Sequence, residues 1–167
     1  MGNPVRILIA IAIVTALYGC QDHEASVSET AETDNNIEIV FHPSHEPKKA
    51  AVPFSDAVQV GDLFFLSGQI GMDHSVRELV SGGIEAETRQ ALVNIKQVLA
   101  QHGMQLKDVV KVTVILADME HFRAFNEIYR KYLPQKPART PFAPNGLARS
   151  AQVEIDVIAA NQSSGTT

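Results

Sequence analysis

From residue 37 onward the apolar positions recur with two different periods, and each change of period marks an element. Residues 109–116 alternate, with Val110, Val112, Val114 and Leu116 on one face, and so predict a strand. Residues 152–159 alternate again, placing Val153, Ile155 and Val157 on one face and Glu154 and Asp156 on the other. Over residues 84–102 the period lengthens: Thr88, Ala91, Leu92, Ile95, Val98 and Leu99 fall at helical spacing, and Gly103 supplies the stop. A second helix, capped by Asp118 and closed by Pro134, carries the stripe Phe122, Phe125, Tyr129 and Tyr132. Earlier, residues 57–60 and 63–67 are apolar runs separated by the turn pair Gly61-Asp62, which predicts a β-hairpin, and residues 37–41 predict a short strand. The sum over residues 37–160 is one α+β domain, a mixed sheet with two helices packed on one face.

The chain ahead of this domain has a different character. Residues 1–20 read MGNPVRILIAIAIVTALYGC: a short positive start, an apolar run too short to span a bilayer comfortably, then Cys20. The segment resembles a bacterial lipoprotein signal, with Cys20 as the lipidated residue. An uncleaved anchor and an ordinary secretory signal are the alternatives. The expectation is export, with the protein lipid-anchored in the bacterial cell envelope and facing the periplasm. Gln21, where an inner-membrane retention signal carries aspartate, favours the outer membrane. Residues 21–36 are polar and acidic and predict a disordered tether, and residues 161–167 a disordered tail. Cys20 is the single cysteine, so no internal disulfide forms. The formal net charge is −5 with no basic cluster, which argues against nucleic acid as a partner.

Several segments carry a family resemblance. They are Phe54-Ser55-Asp56-Ala57-Val58, Phe65-Leu66-Ser67-Gly68-Gln69-Ile70, Glu85-Ala86-Glu87-Thr88-Arg89-Gln90 and Val110-Lys111-Val112-Thr113-Val114. Asn126-Glu127-Ile128-Tyr129, Pro137-Ala138-Arg139-Thr140 and Val153-Glu154-Ile155 follow in the same order. Together they resemble the RidA (YjgF) family of reactive intermediate deaminases. The resemblance implies a chorismate-mutase-like fold and a homotrimer with ligand pockets in the clefts between subunits. It implies hydrolysis of short 2-imino (enamine) acids such as 2-iminopropanoate and 2-iminobutanoate to 2-oxo acids and ammonia, with no metal or organic cofactor. The alternative is a non-catalytic trimeric module that binds small carboxylates or serves as an interaction platform.

The same resemblance assigns roles that the chemistry makes intelligible. Arg139 is the partner of the substrate carboxylate, since a planar guanidinium offers two parallel charge-assisted hydrogen bonds. Read alone, Arg139 is an arginine in a loop after Pro137. Glu154 positions the attacking water and takes its proton. Read alone, it is a solvated strand residue. Ser67 and the backbone N–H of Gly68 receive a substrate oxygen, and Asn126 packs against the pocket wall or binds substrate. Phe54 stands where many active members carry tyrosine, a change expected to slow or redirect the enzyme. Pro141 removes a backbone N–H two positions after the arginine. His42, His45 and Glu46 have too few companions for a metal site. His102 and His121, at helix ends, are expected to be solvated.

Overall fold

The computed structural model describes residues 37–49 and 51–162. The signal and tether expected over residues 1–36, Cys20 included, and the tail from residue 163 lie outside the described residues. Five short strands come first: β1 (Ile39–His42), β2 (Ala57–Val60), β3 (Leu63–Leu66), β4 (Gln69–Ile70) and β5 (Met72–Asp73). Then follow β6 (Glu78–Leu79), α1 (Gly83–Gln101), β7 (Val109–Leu116), α2 (Phe122–Tyr132), β8 (Ala138–Phe142) and β9 (Val153–Ala160). The main sheet runs β1-β2-β3-β9-β7-β8, and β4 extends the β3 edge along β9. Among the described residues only β7 and β8 pair in parallel, joined by the crossover through α2. β5 and β6 form a separate two-stranded ribbon.

Both helices lie on one face of the sheet. Leu92, Ile95 and Leu99 of α1 and Phe125 and Ile128 of α2 close over Val112, Val114, Val153, Ile155 and Val157 in one core. These are the positions at which helical and strand periods agree, so burial of the apolar stripe fixes both registers. Gly61, at φ 56°, makes the β2–β3 turn, a left-handed conformation glycine adopts without cost. Asp118 caps as expected, its Oδ1 accepting from Glu120 N at 2.8 Å, but the turn it starts is a 3-10 turn over Met119–His121 that leads into α2.

Four expectations change. Val110, expected inward, is 44% exposed because β7 bulges against β9 between Val109 and Lys111, and Val109 takes the buried place. The loop expected around Arg139 is β8, an edge strand that tolerates Pro141 because one side of its backbone has no partner strand. His102 is not solvated: its ring packs 4.4 Å from that of His42 and 5.0 Å from Phe64, and burial lowers its pKa. His121 is likewise half-buried, with Nδ1 enclosed.

Candidate active site

Glu154 projects from β9 on the face away from the helices, as strand alternation requires. Its surroundings come from a fault in the neighbouring strand line. Between the pairs Phe65↔Ile158 and Gln69↔Ile155, four steps along β3 and β4 answer three along β9. The extra residue falls at Ser67-Gly68, a bulge that breaks the strand beside the glutamate. Gly68 has no side chain, and the Glu154 carboxylate occupies the space one would fill. A Cβ built there would stand on Oε1 and 2.9 Å from Cδ. The Gly68 N–H has no backbone hydrogen-bond partner among the described residues, so a donor is free beside the carboxylate. Phe54, 53% exposed, completes this corner of a pocket of about 330 Å³. Burial, and after it the Asp156 carboxylate on the same strand face, raises the Glu154 pKa.

Ser67, next to Gly68, does not line this pocket within the one chain. Its hydroxyl donates to the Ser55 carbonyl at 2.6 Å and its N–H to the Asp56 carbonyl at 3.0 Å. It therefore pins the segment that carries Phe54.

Arg139 forms a second, separate locus. Its neighbour on β7 is Val112, whose own partner on β9 is Val157, so the arginine lies on the helix side of the sheet. The guanidinium passes under α2, 4.7 Å from the Tyr129 ring centroid and 5.3 Å from that of Phe122. Asn126 Oδ1 accepts from its Nη1 at 2.7 Å. Asn126 thus orients the arginine, and the two share a cleft with Tyr129 and Pro137. The predicted residues therefore fall into two groups: Glu154, Gly68 and Phe54 in one, Arg139 and Asn126 in the other. Three residues along and two strands across separate them, roughly 14 Å within the sheet, and they face opposite sides.

Sequence patterns missed the rest of the Glu154 pocket. Lys49, His74, Arg77 and Arg149 also line it. Behind them is a buried ion cluster. Lys49 Nζ stands 3.3 Å from Glu46 and 3.5 Å from Asp56, and Glu46 also holds the His74 ring. His45 and Glu46 belong to this cluster, while His42 belongs to the aromatic stack. Among the described residues no group of three or more His, Cys, Asp or Glu is arranged to hold a metal ion.

Both loci lie within a stretch matched by a known family. The family model for Endoribonuclease L-PSP spans residues 44–161. The chain belongs to this family. It is the RidA/YjgF family that the sequence motifs resemble. The mouse 2-iminobutanoate/2-iminopropanoate deaminase is 44% identical over 108 residues, which are 64% of this chain and 80% of that protein. A solved Thermotoga maritima structure matches with 42% identity and TM-score 0.69, covering 74% of this chain and 98% of that one. The E. coli TdcF structure with bound serine matches with 26% identity and TM-score 0.64, covering 75% and 98%.

Proposed function

We propose that this protein hydrolyses reactive 2-imino acids to 2-oxo acids and ammonia, as a homotrimer whose sites lie between subunits. One observation carries the proposal. A guanidinium set for a carboxylate and a carboxylate set for proton transfer are both built, yet one chain holds them too far apart for one small substrate. A neighbouring copy supplies the missing half. The names of the mammalian relatives and the amino acid bound in E. coli TdcF support a substrate of this class.

The chemistry follows from the residues. Arg139, held by Asn126, takes the substrate carboxylate in a bidentate pair. Glu154 of the adjoining chain positions water against the C=N carbon and accepts its proton, and its raised pKa makes it a stronger base than an ordinary carboxylate. The Gly68 N–H donates to the oxygen that this water delivers. Collapse of the adduct forms the C=O bond, breaks the C–N bond and releases the nitrogen as ammonia with the transferred proton. The step is a hydrolysis and asks for no electron carrier.

An amino-acid oxidase can generate 2-iminobutanoate in situ, with semicarbazide trapping what remains. Purified protein should hasten its disappearance, and Arg139→Ala should lower kcat/KM by about a hundredfold or more, because the substrate loses its anchor. Arg139→Lys should not restore it. Activity unchanged in Arg139→Ala places the chemistry elsewhere. If wild type leaves every imine untouched yet binds 2-oxobutanoate, the protein is the non-catalytic carboxylate binder.

Export through Cys20 is part of the same proposal, supported by the pattern of residues 1–20, which precede the family match. Labelled palmitate should enter the wild-type protein in a bacterial host and not the Cys20→Ser variant. Label in both, or in neither, rejects lipidation at Cys20.

A further inference from the structure

The Glu154 pocket holds more positive charge than its one carboxylate accounts for. Lys49 is committed to Glu46 and Asp56, but Arg77 and Arg149 have no carboxylate partner among the described residues. The backbone at both arginines is unusual. Arg77 has φ 67° and Arg149 φ 58°, and Ser150 follows at φ 59°. This is the left-handed region, where a side chain costs energy that glycine avoids. Arginine at two such positions on one pocket fits the tendency of strained backbone to collect at functional sites. The two loops are also tied together. Arg149 Nη1 donates to the Arg77 carbonyl at 3.1 Å, across 72 residues of sequence. Burial, and after it the Lys49 charge, lowers the pKa of His74, another wall residue, and the Arg77 charge acts in the same direction.

We propose that Arg77 and Arg149 form a second anion subsite, which makes the preferred substrates 2-imino acids bearing a distal carboxylate. The inference rests on imine hydrolysis as the function of this pocket and adds its substrate class. One carboxylate of a four- or five-carbon dicarboxylic imino acid meets Arg139, and its C=N carbon faces Glu154. The far carboxylate reaches the two arginines. The balance is that of any imine hydrolysis: the iminium and one water give the 2-oxo dicarboxylate and ammonium. A volume of about 330 Å³ has room for such a molecule and leaves a three-carbon acid loosely held. A monocarboxylic imine also leaves the subsite with nothing to neutralise.

The full-length protein and two variants test this. Arg77→Gly suits the local backbone and should fold at least as well as wild type. Arg149→Gln keeps hydrogen bonding without charge. Rates are compared on 2-iminoglutarate and 2-iminobutanoate, each generated in situ by an oxidase with catalase present. Wild type should prefer 2-iminoglutarate, and the ratio of the two kcat/KM values should fall about tenfold or more in each variant. A wild-type preference for 2-iminobutanoate, or a ratio that neither variant moves, overturns the subsite and leaves imine hydrolysis standing. If wild type hydrolyses neither imine, the proposed function fails and calorimetry decides the subsite alone. Tighter binding of 2-oxoglutarate than of 2-oxobutanoate, lost in both variants, upholds it. Equal binding or none overturns it.

Discussion

The Glu154 carboxylate sits where it does because position 68 has no side chain. Gly68→Ala asks nothing unusual of the backbone, and the new methyl meets the movable end of a glutamate rather than fixed main chain. Stability should therefore change by no more than about 1 kcal/mol. If Glu154 is the base as proposed, its displacement should lower kcat by about tenfold to a hundredfold. A thermal melt beside a kinetic assay separates the two effects, and an alanine variant with full activity removes Gly68 from the site. The raised pKa of Glu154 has its own consequence. The folded state holds this proton more firmly than the unfolded state does, so Glu154 favours folding most when protonated. That contribution declines as pH rises from the ordinary value of 4.5 through the raised one. Glu154→Gln should flatten this part of the curve of urea midpoint against pH. The acid limb of kcat should lie above 4.5, where the base ionises. A limb at or below that value contradicts Glu154 as the base. Alternation in the sequence was enough to place Glu154 on its face of the sheet. Arg77 and Arg149 were not legible, because turn backbone and a contact spanning 72 residues leave no periodic trace.

At the level of elements, legibility follows the strength of the period. α1 and β9 match their predicted spans within a residue or two, since burial fixes every third or second side chain. β7 was recognisable, but alternation cannot reveal an inserted residue, so the bulge at Val109/Lys111 reversed the expectation for Val110. β8 was hidden by Pro137 and Pro141, which argue against a strand unless it is known to be an edge. That strand matters because it delivers Arg139 beneath α2, where Asn126 meets it. Asn126→Leu keeps a helix-compatible side chain and deletes the acceptor. The guanidinium then keeps its charge but loses one of its restraints. KM for the imine should rise about tenfold with a smaller change in kcat, as expected for loss of one hydrogen bond to a charged group. An unaltered KM would mean that the aromatic rings alone hold the arginine.

For the molecule as a whole, one face of the sheet is covered by helices and the other is not. On the open face Ile39, Phe41, Val58, Val60, Leu63 and Phe65 share one side through the registers of β1, β2 and β3. Phe41 is 67% exposed and Phe65 40%. In the proposed homotrimer another copy covers this apolar surface and brings its Arg139 to the Glu154 pocket. Neither demand was legible in periodicity, which reports burial within one chain and not between chains. Mixing two inactive variants puts the point to a test that no single variant can. Arg139→Ala and Glu154→Gln should each be nearly inactive alone. If every site takes its arginine from one subunit and its glutamate from the next, refolding an equal mixture creates sites in which both donors are intact. Random assembly makes these about a quarter of all sites, so about a quarter of wild-type activity should return. Simple mixing without dissociation should recover less, since subunits must exchange. Variants of a site confined to one chain could never complement each other. Mixed trimers that remain as inactive as their parents would therefore reject the shared site, while light scattering on the same samples reports whether trimers formed.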